Sequence, residues 1–233
     1  MANMDMTNMT NMSNVDIRGI FNDYFKMHPH YILVFEGPRG AGKTKQAKLF
    51  CEWLGNQVNQ TVMYLQSPLR VTPFSKSIYD ALTSPDKTAE EYALLGILNK
   101  SLIQDYILQH PNTIFVLDRW DLSFWVYQIQ VPHLDKNTPF CLWALTYPDR
   151  VKPNFQFLLD ADFDILQKRG KKIKETFNRY EALEYFHKSV EAYHEYAKVV
   201  DCMQVIDTSA DTVENTQALI QEIFCNNLVG DSE

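Results

Sequence analysis

The sequence predicts a three-layer α/β/α fold built on a five-stranded parallel sheet. Two observations support this: five short apolar runs have the length of buried strands, and stretches with helical spacing separate them. Strands that alternate with helices give a mostly parallel sheet, because each helix returns the chain to the same edge. Ligands then bind beyond the carboxyl ends of the strands. The five runs are 32–35, 61–65, 113–117, 155–159 and 203–206.

The helical stretches are predicted from the spacing of their apolar residues and from their ends. The stretch 87–109 repeats apolar residues such as Leu95, Leu98 and Leu102 at helical spacing, and it stops before Pro111. A proline restricts the preceding residue to extended conformations, so it favours a helix end at this point. The predicted helices are 43–54, 87–109, 123–130, 179–200 and 212–225.

Length and charge limit the classes of function. The chain has 233 residues, of which 45% are hydrophobic, and this is enough for one domain with a full core. Its formal net charge of −7 argues against a protein that coats nucleic acid or binds a membrane surface, so we expect neither partner. No apolar run approaches the length of a membrane span.

The N-terminal segment differs from the rest of the chain. Residues 1–16 are rich in methionine, asparagine and threonine and lack the apolar stretch of a signal peptide. We therefore predict a disordered tail at 1–16, one domain at 17–233 and a cytoplasmic protein. The four cysteines form no C-x-x-C pair, which favours reduced thiols. They are Cys51, Cys141, Cys202 and Cys225.

A glycine-rich loop between the first run and the first helix carries the clearest chemical signal. It matches G-x-x-x-x-G-K-[ST] in the strand–loop–helix context that a phosphate-binding loop needs. Glycines let backbone N–H groups turn toward phosphate oxygens, and the helix N-terminus adds positive potential. We expect an exposed Lys43 to reach the β- and γ-phosphates of ATP and Thr44 to hold Mg²⁺. The residues predicted to bind phosphate are Gly37, Pro38, Arg39, Gly40, Ala41, Gly42, Lys43 and Thr44.

Charged residues follow the carboxyl ends of three other runs. Asp118 and Arg119 come after the third run, where an Asp can hold Mg²⁺ and an Arg can bind a second phosphate; a structural salt bridge is the alternative. Arg70 follows the second run and is either a clamp for an acceptor phosphate or a solvated surface residue. A basic cluster at 167–174 is either a mobile lid that closes over ATP or a solvated loop.

Together these motifs resemble the thymidylate kinase family of nucleoside monophosphate kinases, from about residue 32 to residue 206. The most specific match is Asp118-Arg119-Trp120-Asp121-Leu122-Ser123 followed by Tyr127-Gln128, which is similar to the family's D-R-[YH]-x-x-S-x-x-A-Y-Q. Ser67-Pro68-Leu69-Arg70 resembles the family's F-P-x-R. The segments 152–162 and 179–187 resemble the strand before the family's lid and the segment after it.

The resemblance implies a phosphate-loop kinase fold with a short mobile lid at 167–176. It implies ATP-dependent phosphorylation of a deoxynucleoside monophosphate, most of all dTMP to dTDP for dNTP synthesis, with Mg²⁺ as cofactor and a homodimer as a possible assembly. The implied catalytic residues are Lys43, Asp118, Arg119 and Arg169, with Thr44 and Asp118 at the metal and Lys171 and Lys172 of the lid at ATP. The implied acceptor-binding residues are Arg70, Lys100, Arg119, Ser123, Tyr127 and Gln128.

Three features depart from the family pattern. Arg39 stands where the family has an Asp or Glu that contacts the 3′-hydroxyl of the sugar, and an arginine accepts no hydrogen bond. On the helix before the third run, the family has F-x-x-x-R, whose aromatic stacks on the base. This chain has Gly96 and Lys100 at those two positions, while the bulky Phe124 stands beside Ser123. The departures concern the contacts to the sugar and to the base.

Other classes of function stay open. A deoxynucleoside kinase needs a carboxylate that takes the proton of a hydroxyl, but Gln66 and Ser67 follow the second run. A kinase for a modified deoxynucleotide is compatible with Arg39 if the substrate carries negative charge near its 3′-position. A non-enzymatic, nucleotide-binding regulator is the remaining alternative, and an intact phosphate loop with Asp118 favours turnover instead.

Overall fold

Each predicted apolar run lies inside one strand of a parallel sheet, which confirms the predicted α/β fold. The computed structural model describes residues 15–84, 86–130, 132–135, 151–171, 183–198 and 203–230. The strands are β1 His30–Glu36, β2 Thr61–Gln66, β3 Thr113–Asp118, β4 Phe155–Asp160 and β5 Met203–Asp207. They form one five-stranded sheet in the order β2-β3-β1-β4-β5, and every pair is parallel.

Helices connect the strands and cover the sheet. The predicted helix 123–130 is a short α-helix that continues as a π-helical segment, Trp125–Gln130. As far as the described residues extend, no helix is long and apolar enough to cross a membrane. The helices are α1 Ile17–Tyr24, α2 Lys43–Gly55, α3 Pro73–Thr83, α4 Ala89–Leu108, α5 Asp121–Phe124, α6 Phe163–Lys171, α7 Leu183–Ala197 and α8 Val213–Gly230.

The central strand β1 is buried on both faces, which explains its unbroken apolar sequence. Leu33 and Phe35 pack on one face with residues of α2 and α8. Ile32 and Val34 pack on the other face with residues of α4. Because two cores hold this strand, its carboxyl end, where the glycine-rich loop begins, has a fixed position.

Helix α4 lies within its predicted range, and most of its predicted apolar positions are buried or pack on the core. Thr88 and Glu91 form a reciprocal capping box at its N-terminus. The buried face includes Gly96 and Asn99, whereas Leu98 is 39% exposed. The predicted face is therefore confirmed except at Leu98, and it also carries Gly96 and Asn99.

Two helices without a counterpart in the sequence prediction begin with clear caps. Asp16 accepts a hydrogen bond from Gly19 N at 2.9 Å and caps α1. Thr72 and Ser75 form a capping box at α3, with a proline in the first turn. Both helices are short, with 8 and 11 residues, and each buries only a few of them, so their capping residues are the clearer sequence signal.

Several predicted segments fall partly outside the described residues. Residues 167–171 of the predicted lid form the end of α6, a third helix that was not predicted, and 172–176 lie outside. Residues 1–14 of the predicted tail also lie outside. Cys51 and Cys225 carry free thiols. The other two cysteines, Cys141 and Cys202, belong to segments that the structure does not describe.

Three neighbouring strands end at the same level of the sheet. Asp118 of β3 is in register with Phe35 of β1 and with Gln66 of β2. Arg119 N donates to Phe35 O at 3.0 Å, and Ser67 N donates to Asp118 O at 3.0 Å. The loops that leave these strands therefore start within hydrogen-bonding distance, and the polar residues they carry meet at one edge.

Candidate active site

Glycine is required at two positions of the loop between β1 and α2. Gly37 has φ 134° and Gly40 has φ 92°, values that residues with a side chain rarely adopt. A Cβ atom on Gly37 would lie 2.0 Å from Leu159 O, and one on Gly40 would lie 2.7 Å from Leu166 O. The loop is therefore held closely against the end of β4 and against α6, and its shape depends on glycine.

Lys43, the first residue of α2, is buried. Its side chain is only 5% exposed, and its Nζ donates to Pro38 O at 2.5 Å, so the expectation of an exposed lysine is wrong. Burial and then the positive charge of Arg119 hold the pKa of Lys43 well below its ordinary value, although Asp118 and Glu36 oppose the shift. The ammonium group therefore lacks a full countercharge, which the phosphates of a bound nucleotide would supply.

ATP binding should be accompanied by proton uptake on Lys43. Phosphate anions raise its depressed pKa, so between that pKa and the ordinary value of 10.5 the complex binds more protons than the protein alone. ATP affinity should therefore fall as pH rises through this window. Titration calorimetry in two buffers with different heats of ionisation, well above the phosphate pKa of about 6, measures the uptake. Lys43→Met should abolish it, and buffer-independent heats in the unmodified protein would contradict the prediction.

Asp118, at the end of β3, lies opposite the first turn of α2. Thr44 Oγ1 donates to Asp118 Oδ2 at 2.5 Å, and Tyr64 OH donates to the same oxygen at 3.0 Å. The other oxygen, Oδ1, is buried and has no hydrogen-bond partner in the described part of the chain. A buried carboxylate oxygen is costly without a partner, and Mg²⁺ prefers oxygen ligands. Thr44 and Asp118 therefore fit the predicted Mg²⁺ site.

Arg119 follows Asp118 in an unusual backbone conformation with φ 78°. Such a conformation is costly for a residue with a side chain and persists only where the surroundings fix it. Arg119 Nη1 donates to Gly37 O at 3.1 Å, to Ser123 Oγ at 2.9 Å and to Tyr193 OH at 2.8 Å. The guanidinium group is therefore fixed between the phosphate loop, α5 and α7.

Glu36, a fully buried carboxylate at the end of β1, orders the turn that carries Arg119. Its Oε1 accepts from Trp120 N at 2.7 Å and from Ser123 N at 3.1 Å, and its Oε2 accepts from Ser123 Oγ at 2.5 Å. The position of Arg119 thus depends on a carboxylate that the sequence prediction did not include. A charged residue that ends an otherwise apolar buried strand was the available signal.

Tyr193 closes the same network from α7. Its hydroxyl lies 2.7 Å from Ser123 Oγ, and burial raises its pKa well above 10.0, so the phenol stays protonated. Arg119 donates to the oxygen of this phenol, which leaves its hydrogen for Ser123. No local motif marks Tyr193, because its role arises from the packing of α7 on a segment 70 residues away.

A cavity of about 390 Å³ lies beside this network, at the carboxyl ends of β2 and β3. All of the residues predicted to bind the acceptor line it, and Arg39 of the phosphate loop reaches it as well. Its described lining includes four cationic side chains and no carboxylate, so it suits an anionic ligand. The predicted residues that line it are Arg70, Lys100, Arg119, Ser123, Tyr127 and Gln128.

Arg70 reaches the cavity from the loop after β2, and a buried amide holds that loop. Asn99 Oδ1 accepts from Leu69 N at 2.7 Å, and its Nδ2 donates to Ser67 Oγ at 3.0 Å. The guanidinium of Arg70 lies 3.6 Å from the ring centroid of Tyr79. Asn99 was missed by the sequence prediction, although a polar residue on the buried face of a helix is a usable signal.

Lys100 has a partner in the structure. It forms an ion pair with Asp121, and its Nζ lies 4.6 Å from the ring centroid of Trp120. The family's arginine at this position reads the base according to the resemblance, whereas this lysine is engaged with α5. A direct contact of Lys100 with the acceptor stays a prediction.

Of the predicted lid cations, only the side chain of Arg169 is described. Its Nη1 donates to Thr208 Oγ1 at 3.0 Å and its Nη2 to Thr208 O at 2.8 Å. Thr208 Oγ1 in turn lies 3.4 Å from Ala41 O. Arg169 is thus placed beside the phosphate loop, with one residue between them, and its contact with ATP stays a prediction. Lys171 is described only as the last residue of α6, and Lys172 lies outside the described residues.

Comparison with known proteins identifies the family. A sequence profile described as thymidylate kinase matches residues 35–220. The chain belongs to the thymidylate kinase family. The resemblance inferred from the motifs is thereby confirmed. Thymidylate kinases are nucleoside monophosphate kinases that use ATP as the phosphoryl donor.

Two curated relatives carry the same family name. A probable thymidylate kinase of Thermococcus kodakarensis is 28% identical over 200 residues, which cover 78% of this chain and 93% of the relative. A thymidylate kinase of Trichodesmium erythraeum is 28% identical over 220 residues, which cover 84% of this chain and 96% of the relative. The likeness to thymidylate kinases therefore extends over nearly their whole length.

Solved thymidylate kinase structures share the fold. The enzyme of Candida albicans superposes with a TM-score of 0.68 at 22% identity, over 85% of this chain and 92% of the other. The enzyme of Ehrlichia chaffeensis superposes with a TM-score of 0.63 at 19% identity, over 84% of this chain and 99% of the other. Both likenesses support the phosphate-loop α/β fold.

Proposed function

We propose that this thymidylate kinase family member transfers the γ-phosphoryl group of ATP to dTMP and forms ADP and dTDP. The observation that carries the proposal is the cavity beside the phosphate loop, where Arg39, Arg70 and Arg119 meet and no described residue offers a carboxylate. An acceptor that is already an anion needs cations to hold it and no base to deprotonate it. The cavity has that composition.

In this reaction an oxygen of the acceptor phosphate forms a bond to the γ-phosphorus while the bond to the β–γ bridging oxygen breaks. The electron pair of the broken bond leaves with ADP. The chain contributes position and charge: Lys43 at the donor phosphates, Arg70 at the acceptor phosphate and Arg119 between them. Because Gly37, Ser123 and Tyr193 already fix Arg119, little reorganisation is needed when the substrates bind.

Thr44 and Asp118 are the residues that would hold Mg²⁺. When bound, Mg²⁺ neutralises part of the charge on the donor phosphates. The supporting observation is the buried oxygen of Asp118, which has no partner among the described residues. The homodimer that the resemblance implies stays a prediction.

Two alternative functions are tested by a panel of acceptors. In a deoxynucleoside kinase a carboxylate would take the hydroxyl proton, but Gln66 and Ser67 occupy the cavity wall at the end of β2. ADP formation with ATP and Mg²⁺ should be fastest with dTMP among nucleoside monophosphates and negligible with thymidine. A preference for thymidine would support the nucleoside kinase, and ADP formation that no acceptor stimulates would support the regulator.

Arg70→Ala should weaken the binding of the acceptor and leave the binding of ATP nearly unchanged. Loss of a charge-assisted contact to phosphate should raise the KM for dTMP about 10-fold or more, while the KM for ATP changes less than about twofold. Steady-state kinetics with each substrate varied in turn measure both values. Arg18→Ala, on the exposed face of α1, is the matched control. A rise confined to the KM for ATP would place Arg70 on the donor side instead.

Arg39 predicts weak discrimination at the 3′-position of the sugar. It lines the acceptor cavity but cannot accept a hydrogen bond from a 3′-hydroxyl. The unmodified protein should therefore use 3′-deoxy-dTMP with a kcat/KM within about 10-fold of that for dTMP, and Arg39→Asp should widen the difference. Strong rejection of the 3′-deoxy acceptor by both proteins would show that Arg39 is not at the sugar.

A further inference from the structure

The ring of Phe124, on α5, lies where a side chain on Gly96 of α4 would be. A Cβ atom on Gly96 would lie 2.8 Å from Cε2 and 2.9 Å from Cδ2 of the Phe124 ring. Distances this short are not found in real structures, so any side chain at position 96 would displace the ring. The glycine therefore sets where the phenylalanine ring lies.

The Phe124 ring forms part of the wall of the acceptor cavity. It is 8% exposed, and both it and Gly96 line that cavity. Its sequence neighbour Ser123 accepts from Arg119, and one turn later Gln128 has its Cγ 3.3 Å from the same Cβ point above Gly96. A cation, a planar ring and an amide therefore follow one another along a single wall.

We propose that Phe124 is the platform on which the base of the acceptor stacks, and that Gly96 is a glycine to make room for it. This inference rests on the proposed function and names the residue that recognises the base. A base offers a flat π-face and hydrogen-bonding edges, which match the ring of Phe124 and the amide of Gln128. Its phosphate is then directed toward the cations of the same wall.

The ring is held in place from behind. Lys100 Nζ lies 5.2 Å from the ring centroid of Phe124 and is ion-paired with Asp121 at the start of α5. Ala93, Ile97 and Ile129 pack in the same apolar cluster. Lys100 is in this arrangement a positioning residue for the platform, because its charge is directed at the ring and at Asp121.

Two ligands of the acceptor cavity, one with a base and one without, distinguish a stacking role of Phe124 from a structural role. Phe124→Leu should raise the KM for dTMP about 10-fold or more, and it should leave the inhibition constant of deoxyribose 5-phosphate, which has no base, within about twofold. Arg70→Ala should weaken the binding of both molecules to the same extent, because each carries a phosphate group. Equal losses for both molecules in Phe124→Leu, or no loss for dTMP, would overturn the inference.

A glycine variant tests the same ring without changing it. Gly96→Ala should displace the ring and reproduce the selective loss for dTMP. Gly55→Ala, also on a helix but with only Val62 Cβ at 4.0 Å from the added Cβ, is the matched control and should change neither constant. If Gly96→Ala matches Gly55→Ala in both constants, the inference fails. Turnover of dTMP by the unmodified protein is measured first, and its absence would count against the proposed function. If turnover is present, the ratio of the KM for dTMP to the inhibition constant of deoxyribose 5-phosphate tests whether Phe124 stacks on the base.

Discussion

Replacing Lys43 with alanine should lower kcat by about 10²-fold or more, the range found when one electrostatic contact to a transition state is removed. The lysine begins α2 directly after the glycine-rich loop, and its ammonium group is positioned by Pro38 O at 2.5 Å. Without this ammonium group, the charge on the transferring phosphoryl group would be less well neutralised. Rapid-quench measurement of ADP formation at saturating dTMP gives the effect on the chemical step.

Stability should change little in this variant. Burial of the ammonium group is unfavourable for folding, as the depressed pKa of Lys43 indicates, so its removal should cost little free energy of unfolding. Lys43→Met, which keeps the length of the side chain, should lose the same activity with an unchanged melting temperature. Near-normal kcat in either variant would show that the loop does not hold the transferred phosphate.

Replacing Glu36 with alanine should destabilise the protein by about 3 kcal/mol and also impair acceptor binding. Three donors, Trp120 N, Ser123 N and Ser123 Oγ, would lose their buried acceptor. A buried donor without a partner costs about 1–3 kcal/mol, and the donors here lie in one turn and relax together. Arg119, which depends on Ser123, would lose its fixed position. Chemical denaturation and the KM for dTMP measure the two effects.

Glu36→Gln is the matched control for this prediction. The amide keeps one oxygen for the two backbone donors, Trp120 N and Ser123 N, so a large part of the stability should return, although the Ser123 hydroxyl loses its acceptor oxygen. The position of Arg119 should return with it, and the KM for dTMP should be closer to that of the unmodified protein. An alanine variant as stable as the unmodified protein would contradict the role assigned to Glu36.

The sheet could be predicted chiefly because its three inner strands, β1, β3 and β4, are buried on both faces. The run around Leu33 is apolar at every position, so it indicates a strand whichever face each residue takes. The short helices α1 and α3 were not predicted, because each buries only a few residues. In α3 only Ser75, Ile78 and Leu82 are buried, and its clearest mark is the Thr72-Pro73 start. The π-helical turn after Phe124 departs from the usual helical period, so periodicity could not reveal it.

The site divides along similar lines. Lys43, Thr44, Asp118 and Arg119 could be predicted because each stands next to a strand end in a local motif. Tyr193 and Asn99 could not, because each acts through contacts with residues distant in the sequence. The burial of Lys43 was also invisible, since it depends on how the loop folds over its own side chain.

The measurement that tests the proposed activity most directly follows ADP and dTDP together in one reaction with ATP and Mg²⁺. The proposed function predicts that ADP and dTDP form in equal amounts when dTMP is present, and that ATP is almost unchanged when dTMP is absent. Lys43→Ala should form both products more slowly by about 10²-fold or more. ADP release that does not depend on dTMP, or ADP formed without dTDP, would contradict the transfer of a phosphoryl group to this acceptor.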